Sequence, residues 1–160
     1  KALVSDNSSG PGIFYDNLNE QQIQAIKTAF LNELVSNINA IKKSAASVIA
    51  LVFQLDYTRK GWFNLLTTLH QSTSSDDLNI KSSSLYTLGY ICENFSKANI
   101  AMSDQDVKLI IRGICEGLDP KHSNEDIMIV AAKSLRDSLQ FSAKVIEMEK
   151  GWDYIFELLI

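Results

Sequence analysis

Apolar residues recur along this chain at spacings of three and four, with no run of the period-two alternation between turn residues that marks a half-buried strand. The pattern predicts an all-α protein. Ile23, Ile26, Phe30 and Leu34 stripe one face of a helix over about 19–35. Val48, Leu51, Val52 and Leu55 point inward from a second over about 38–55. Further helices are predicted over about 62–70, 78–95, 104–118 and 125–141, with a seventh beginning near Glu149. The segments between them ("DYTRKG", "QSTSSDD", "SKANIAMSDQD", "DPKHSNED", "SAKVIEMEKG") are polar and carry turn residues. In one of them Ser103 precedes Asp106 by three residues, a near match to a capping box. The opening "KALVSDNSSGPG" reads as a helix end followed by a loop. One residue is out of place: Gly89 sits inside the apolar helical run "SLYTLGYICENF", where glycine costs about 1 kcal/mol relative to alanine.

The helices repeat. Trp62, Leu65, Leu66 and Leu69 stand at offsets 0, 3, 4 and 7. Val107, Ile110, Ile111 and Ile114 reproduce those offsets 45 residues on, and Trp152, Ile155, Phe156 and Leu159 do so after another 45. Alternate helices echo one another more softly. Val48, Leu51, Val52 and Leu55 align with Leu85, Leu88, Gly89 and Cys92, and then with Ala132, Leu135, Arg136 and Leu139. A helix pair recurring every 36 to 47 residues lies in the range of HEAT or armadillo units. The fold expected is therefore an α-α superhelix, a HEAT/armadillo-like solenoid of about three repeats. Its units are 19–55, 62–95 and 104–141, with 149–160 opening the next and 1–18 closing the one before. A closed helical bundle with hairpins of similar size is the alternative, disfavoured by three matching signatures at equal spacing. Each repeat needs a neighbour to bury its apolar face. Both ends, the first beginning with lysine and the last stopping at "YIFELLI", read as cut from something longer.

Composition changes this picture little. An apolar fraction of 46% and a charged fraction of 21% are those of a folded, soluble protein, and no stretch approaches the roughly 18 apolar residues of a membrane span. A net charge of -4 argues against a nucleic-acid surface, which needs clustered lysine and arginine. Cys92 and Cys115 lie in apolar helical patterns without CxxC or Cys/His clustering, so neither a disulfide framework nor a zinc site is suggested, and a reducing compartment is expected. His70 and His122 have no partner at catalytic spacing. No phosphate-cradling glycine loop or HExxH occurs, so no enzyme, metal or cofactor is expected.

The stretch "SSSLYTLGYICENF" resembles the inner helix of the fourth HEAT repeat of the importin β (karyopherin β) family. In the same order, "LIIRGICEGL" resembles the outer helix of the fifth repeat, "IVAAKSLRDSLQF" its inner helix, and "DYIFELL" the start of the sixth. The resemblance covers nearly the whole chain and is sharpest over 80–141. It implies a nuclear transport receptor found in cytoplasm, nucleus and nuclear pore. Such a receptor binds Ran-GTP on inner helices and phenylalanine-glycine (FG) nucleoporins on outer helices, and importin α or cargo through later parts.

The residues matching the family's nucleoporin pocket are Ile111, Arg112 and Cys115 on one outer helix and Gly151, Tyr154 and Ile155 on the next. Arg112, Cys115 and Gly151 depart from the family's usual residues there. For Ran, the exposed candidates on the fourth inner helix are Lys81, Ser84, Glu93 and Asn94. A HEAT or armadillo scaffold, such as a phosphatase or kinase regulatory subunit, is the competing function. A structural bundle, or an enzyme subunit completed by another chain, is the third.

Overall fold

The computed structural model describes residues 15–59, 61, 62 and 64–159, so the expectation for 1–14 lies outside the described residues. The described residues form seven helices and no strand: α1 (Glu20–Glu33), α2 (Asn39–Tyr57), α3 (Leu65–Thr73), α4 (Leu78–Ala98), α5 (Asp104–Leu118), α6 (Glu125–Met148) and α7 (Trp152–Leu159). Among them, none is long and apolar enough to cross a membrane.

Short polar residues set where the helices start. Asn19 and Gln22 form a reciprocal capping box on α1. Asp77 caps α4, and Asn124 accepts from the Ile127 amide at the start of α6. Ser103 caps α5 by accepting from the Asp106 amide, but the return half of its box is taken by another helix. The Ser103 amide donates to Tyr57 Oη at 2.9 Å, and that hydroxyl donates to Asp106 at 2.7 Å, so the end of α2 is tied to the start of α5. Asn99, in the left-handed conformation with φ 53°, ends α4.

The helices stack in two layers. α2, α4 and α6 pack side by side in one, and α3, α5 and α7 follow one another in the other. The pairs α1/α2, α3/α4 and α5/α6 each connect a helix to its neighbour. This is a HEAT-like α-α solenoid. A single core runs between the layers, through Phe53, Leu85, Leu88, Phe95, Ile110, Ile114 and Ala131. Phe53, Tyr57 and Phe95 meet in tilted and edge-on contacts with centroids 5.0 to 5.8 Å apart.

The repeat signature of the outer layer holds, with Leu65, Ile110 and Ile155 at the same offset and all 2% exposed or less. At the next offset Leu66 is buried beneath α5, Ile111 is half-buried beneath α7, and Phe156, with no helix beyond it among the described residues, is exposed. The inner-layer alignment needs correction. The buried residues of α2 are Lys42, Ala45, Ala46, Ile49, Ala50, Val52, Phe53 and Asp56, so of the four expected inward Val52 is buried while Val48, Leu51 and Leu55 are only half-buried. Ala132, Arg136 and Leu139 face solvent. The matching positions are Ala46, Leu85 and Ala131, then Ile49, Leu88 and Ser134, at steps of 39 (85 − 46) and 46 (131 − 85). Larger side chains on the flanks of α2 hid a face built from alanines. Several helix bounds shift as well, with 65–73 in place of 62–70, 78–98 in place of 78–95 and a last helix starting at Trp152 rather than near Glu149. α6 continues to Met148 through a segment read as loop, because Val145 and Ile146 stay buried in helical step with Ser138 and Ser142. α3 begins at Leu65 rather than Trp62.

Gly89 is explained by α6. A Cβ there would lie 2.7 Å from Ser134 Oγ and 3.4 Å from its Cβ. The Ser134 hydroxyl is held in turn by the carbonyls of Leu85 and Val130. The two inner helices close to a distance that only a residue without a side chain permits, which offsets the propensity cost.

Polar side chains join the repeats within the inner layer. Buried Lys42 reaches Asn79 Oδ1 at 2.5 Å, while Asn79 Nδ2 donates to the Val35 carbonyl at 3.0 Å and Ser83 Oγ to that of Leu34 at 2.5 Å. One repeat later, at the equivalent position, Lys81 Nζ donates to the His122 carbonyl at 2.5 Å. At the opposite edge Lys27 and Asp56 form a buried ion pair at 2.5 Å. Lys27 also donates to the Gly61 carbonyl at 2.8 Å and lies 5.1 Å from the Trp62 ring centroid.

Candidate functional site

A slot opens on the outer layer where α5 and α7 run side by side. Its volume is about 230 Å³, and all six residues expected there (Ile111, Arg112, Cys115, Gly151, Tyr154 and Ile155) line it. The reason is periodic: Ile111 and Cys115 stand four apart on one face of α5, and Tyr154 and Ile155 lie on the facing side of α7. Ile155 is buried against the core and forms the floor, whereas Tyr154 stands on the rim, 53% exposed. Lys150, with φ 54°, turns the chain between α6 and α7. The Gly151 amide closes onto the Ile146 carbonyl at 2.9 Å and brings the start of α7 against the slot.

Six more residues line the slot: His70, Lys108, Glu116, Val145, Ile146 and Glu149. Lys108 and Glu116 were legible in principle, since they stand four residues to either side of Arg112, on the face of Ile111 and Cys115. Val145 and Ile146 were hidden because their segment reads as a loop. At one end Lys108 pairs with Glu149 at 2.7 Å, and that hydrogen bond and charge lower the Glu149 carboxyl below its ordinary value. Burial, helped by Glu116, pushes the Cys115 thiol up to about 11, so the wall carries a neutral thiol. The Tyr154 phenol is also raised, first by partial burial and then by Cys115, Asp119, Glu116 and Glu157. The interior of the slot is thus uncharged and largely aliphatic. An apolar cavity of about 150 Å³ accommodates benzene, so this one has room for a phenyl ring.

The inner layer carries a different surface, a groove of about 610 Å³ running across α2, α4 and α6. Tyr86, Tyr90, Glu93, Lys133 and Arg136 are among its walls. Of the four residues expected to be exposed on α4, Lys81 and Ser84 are not. Both are 3% exposed, Lys81 being bonded to His122 as above and Ser84 Oγ to the Ile80 carbonyl at 3.0 Å. Lys81 ties α4 to the next repeat, whereas the Ser84 bond stays within α4. Glu93 is half-buried and ion-paired with Lys97 at 2.5 Å, and Asn94 is half-buried outside the groove lining. Among the described residues no three histidines, cysteines or carboxylates come together as a metal site, and both cysteines are buried free thiols.

No family model matches the chain, and no solved structure matches it. Three curated proteins do, each called importin subunit beta-1. The protein of Arabidopsis thaliana is 25% identical over 134 residues, that of Saccharomyces cerevisiae 27% over 135, and that of Schizosaccharomyces pombe 25% over 137. These matches take in 84 to 85% of this chain but only 15 to 16% of each relative, so the chain spans about a sixth of their length. Along most of its residues the chain is similar in sequence to these importin subunits beta-1.

Proposed function

We propose that this chain is a segment of a nuclear transport receptor, and that its α5–α7 slot receives the phenylalanine side chains of FG nucleoporins. The observation that carries the reading is convergence: six residues picked out by family resemblance line one apolar slot of about 230 Å³. A phenyl ring would lie between Ile111 and Cys115 on one side and Tyr154 on the other, with Ile155 beneath it. The polar ends of Arg112 and Tyr154 would stay in water. Such single-ring contacts are weak, and a receptor gains affinity by engaging several at once.

Titration of a Phe-Gly peptide into the chain tests this. Tyr154→Ala combined with Ile111→Asp is expected to weaken binding at least tenfold, because a buried carboxylate in the wall opposes an apolar ring. Unchanged affinity in a folded double variant sinks the reading.

The concave groove is proposed as part of the Ran-GTP surface, with Glu93 on its wall and Asn94 beside it. Lys81 and Ser84 act there through packing. A protein scaffold would use the same groove without regard to nucleotide, so equal capture of the GTP and GDP forms of Ran by the parent receptor would favour the scaffold. Importin α and cargo are assigned to parts of the parent outside this chain. The parent would pass between cytoplasm and nucleus through the pore.

A further inference from the structure

The rim of the α5–α7 slot is electrically ordered. Lys108, Arg112 and Glu116 succeed one another at intervals of four on the slot face of α5, and Asp119 follows as its C-cap. At a rise of about 1.5 Å per residue, the charge therefore changes sign within about 12 Å. α7 runs beside α5 in the same direction, since Glu149, just ahead of it, pairs with Lys108, while Tyr154, further along, feels the charges of Glu116 and Asp119. One end thus holds Lys108 and Arg112 against a single carboxylate, Glu149, and the other holds Glu116, Asp119 and Glu157.

Two observations set this arrangement apart from ordinary surface charge. The Lys108–Glu149 pair satisfies itself, whereas Arg112 and Glu116, one turn apart and able to pair, form no ion pair with each other. In addition, Glu116 and Asp119 stand at the carbonyl end of α5, whose last turn has no basic residue. The helix dipole disfavours negative charge there. The charge order therefore runs against what α5 itself would select.

We infer that the slot fixes the direction of the segment it binds, taking an extended peptide with an aromatic anchor, an acidic residue toward Arg112 and a basic residue toward Glu116, Asp119 and Glu157. The aromatic anchor rests on the function proposed above. The direction rests on the charges alone. Arg112 presents a guanidinium beside the ring, which can lie on its face or meet a carboxylate with two parallel hydrogen bonds. At the acidic end Glu116 lines the slot, and Asp119 and Glu157 add to the negative field at Tyr154 on its rim. Complementarity of this kind selects orientation and partner more than it raises affinity.

The test uses three peptides built on one Phe-Gly core: lysine before and aspartate after, the same two charges exchanged, and serine on both sides. Binding to the 160-residue chain is measured by titration at low salt and at about 0.5 M, where the screening length falls to about 4 Å. One charged order should bind about tenfold more tightly than the other, with the serine peptide between them, and the difference should collapse at high salt. In Arg112→Glu combined with Glu116→Lys the preferred order should reverse, which loss of folding cannot imitate. Equal affinity of the two charged orders, or a preference that survives the charge exchange, overturns the inference while leaving FG binding intact if the serine peptide binds. If one charged order binds and the serine peptide does not, the FG reading falls and the direction stands. If none binds, both fall.

Discussion

The concave groove and the outer slot differ in what they do with their side chains. On the inner helices even charged groups are occupied internally: Lys42 and Lys81, at equivalent positions, reach into the adjoining repeat, and Ser83 and Ser134 bond to carbonyls of neighbouring helices. In the slot, apolar groups of two helices face each other across open space, with only the Lys108–Glu149 pair closing one end. A buried polar residue on an inner helix is therefore evidence about assembly, and an apolar residue on the slot wall is evidence about a partner. Substitutions in the first region should reduce stability, and those in the second should reduce binding.

The largest effect is expected at the buried pair joining α1 to α2. Asp56→Ala leaves Lys27 charged, buried and unpaired, and should lower unfolding free energy by about 3–5 kcal/mol in urea denaturation. A loss under 1 kcal/mol would mean that Lys27 finds water and that the inner polar groups matter less than argued. Next comes the contact between α4 and α6. Gly89→Val should destabilise by about 1–3 kcal/mol through overpacking against Ser134, and Ser134→Gly in the same chain should recover part of it. Thermal melts in which the two changes simply add would remove the close-approach account of Gly89. Tyr154→Ala, by contrast, should stay within about 0.5 kcal/mol of the parent in the same melts, because its ring covers a surface already half open.

The smallest effect concerns pH. The Glu149 carboxyl is lowered by Lys108, so it binds its proton less readily folded than unfolded. Its contribution is present above the unfolded carboxylate value and disappears as pH falls through the lowered folded one. The urea midpoints of Glu149→Gln and the parent should differ slightly at pH 7 and converge in acid, once the carboxyl is protonated in the folded state as well as the unfolded one. A difference that persists in acid would show that Glu149 acts through packing.

Much of the solenoid was legible because its outer helices carry large aliphatic residues at fixed offsets. α5 was readable to the residue, since Ser103 caps it and the run Val107, Ile110, Ile114 fills its buried face. The inner helices were harder because they pack through small residues. Ala45, Ala46 and Ala50 are invisible beside Val48 and Leu51 in a search for apolar periodicity, yet they form the buried face. The spacing of four through Ser134, Ser138 and Ser142 is the sign that α6 continues. Lys81 misled for a related reason, as nothing local distinguishes a lysine that reaches a carbonyl 41 residues away from one in water. The six slot residues were legible only through resemblance. Their charged neighbours Lys108 and Glu116 could have been added by helical spacing alone.

The contact at Gly89 also bears on shape at a larger scale. Gly89 and Ser134 line the groove of the inner layer, and Gly113 has a comparable place in the outer layer, where a Cβ would lie 3.3 Å from Thr73 Oγ1 and 3.6 Å from His70 Cα. Each row therefore has a joint at which a missing side chain sets how near two helices come. The angle between successive repeats is thus written in side-chain size on both rows, and a methyl group added to one row alone should tilt one repeat against the next.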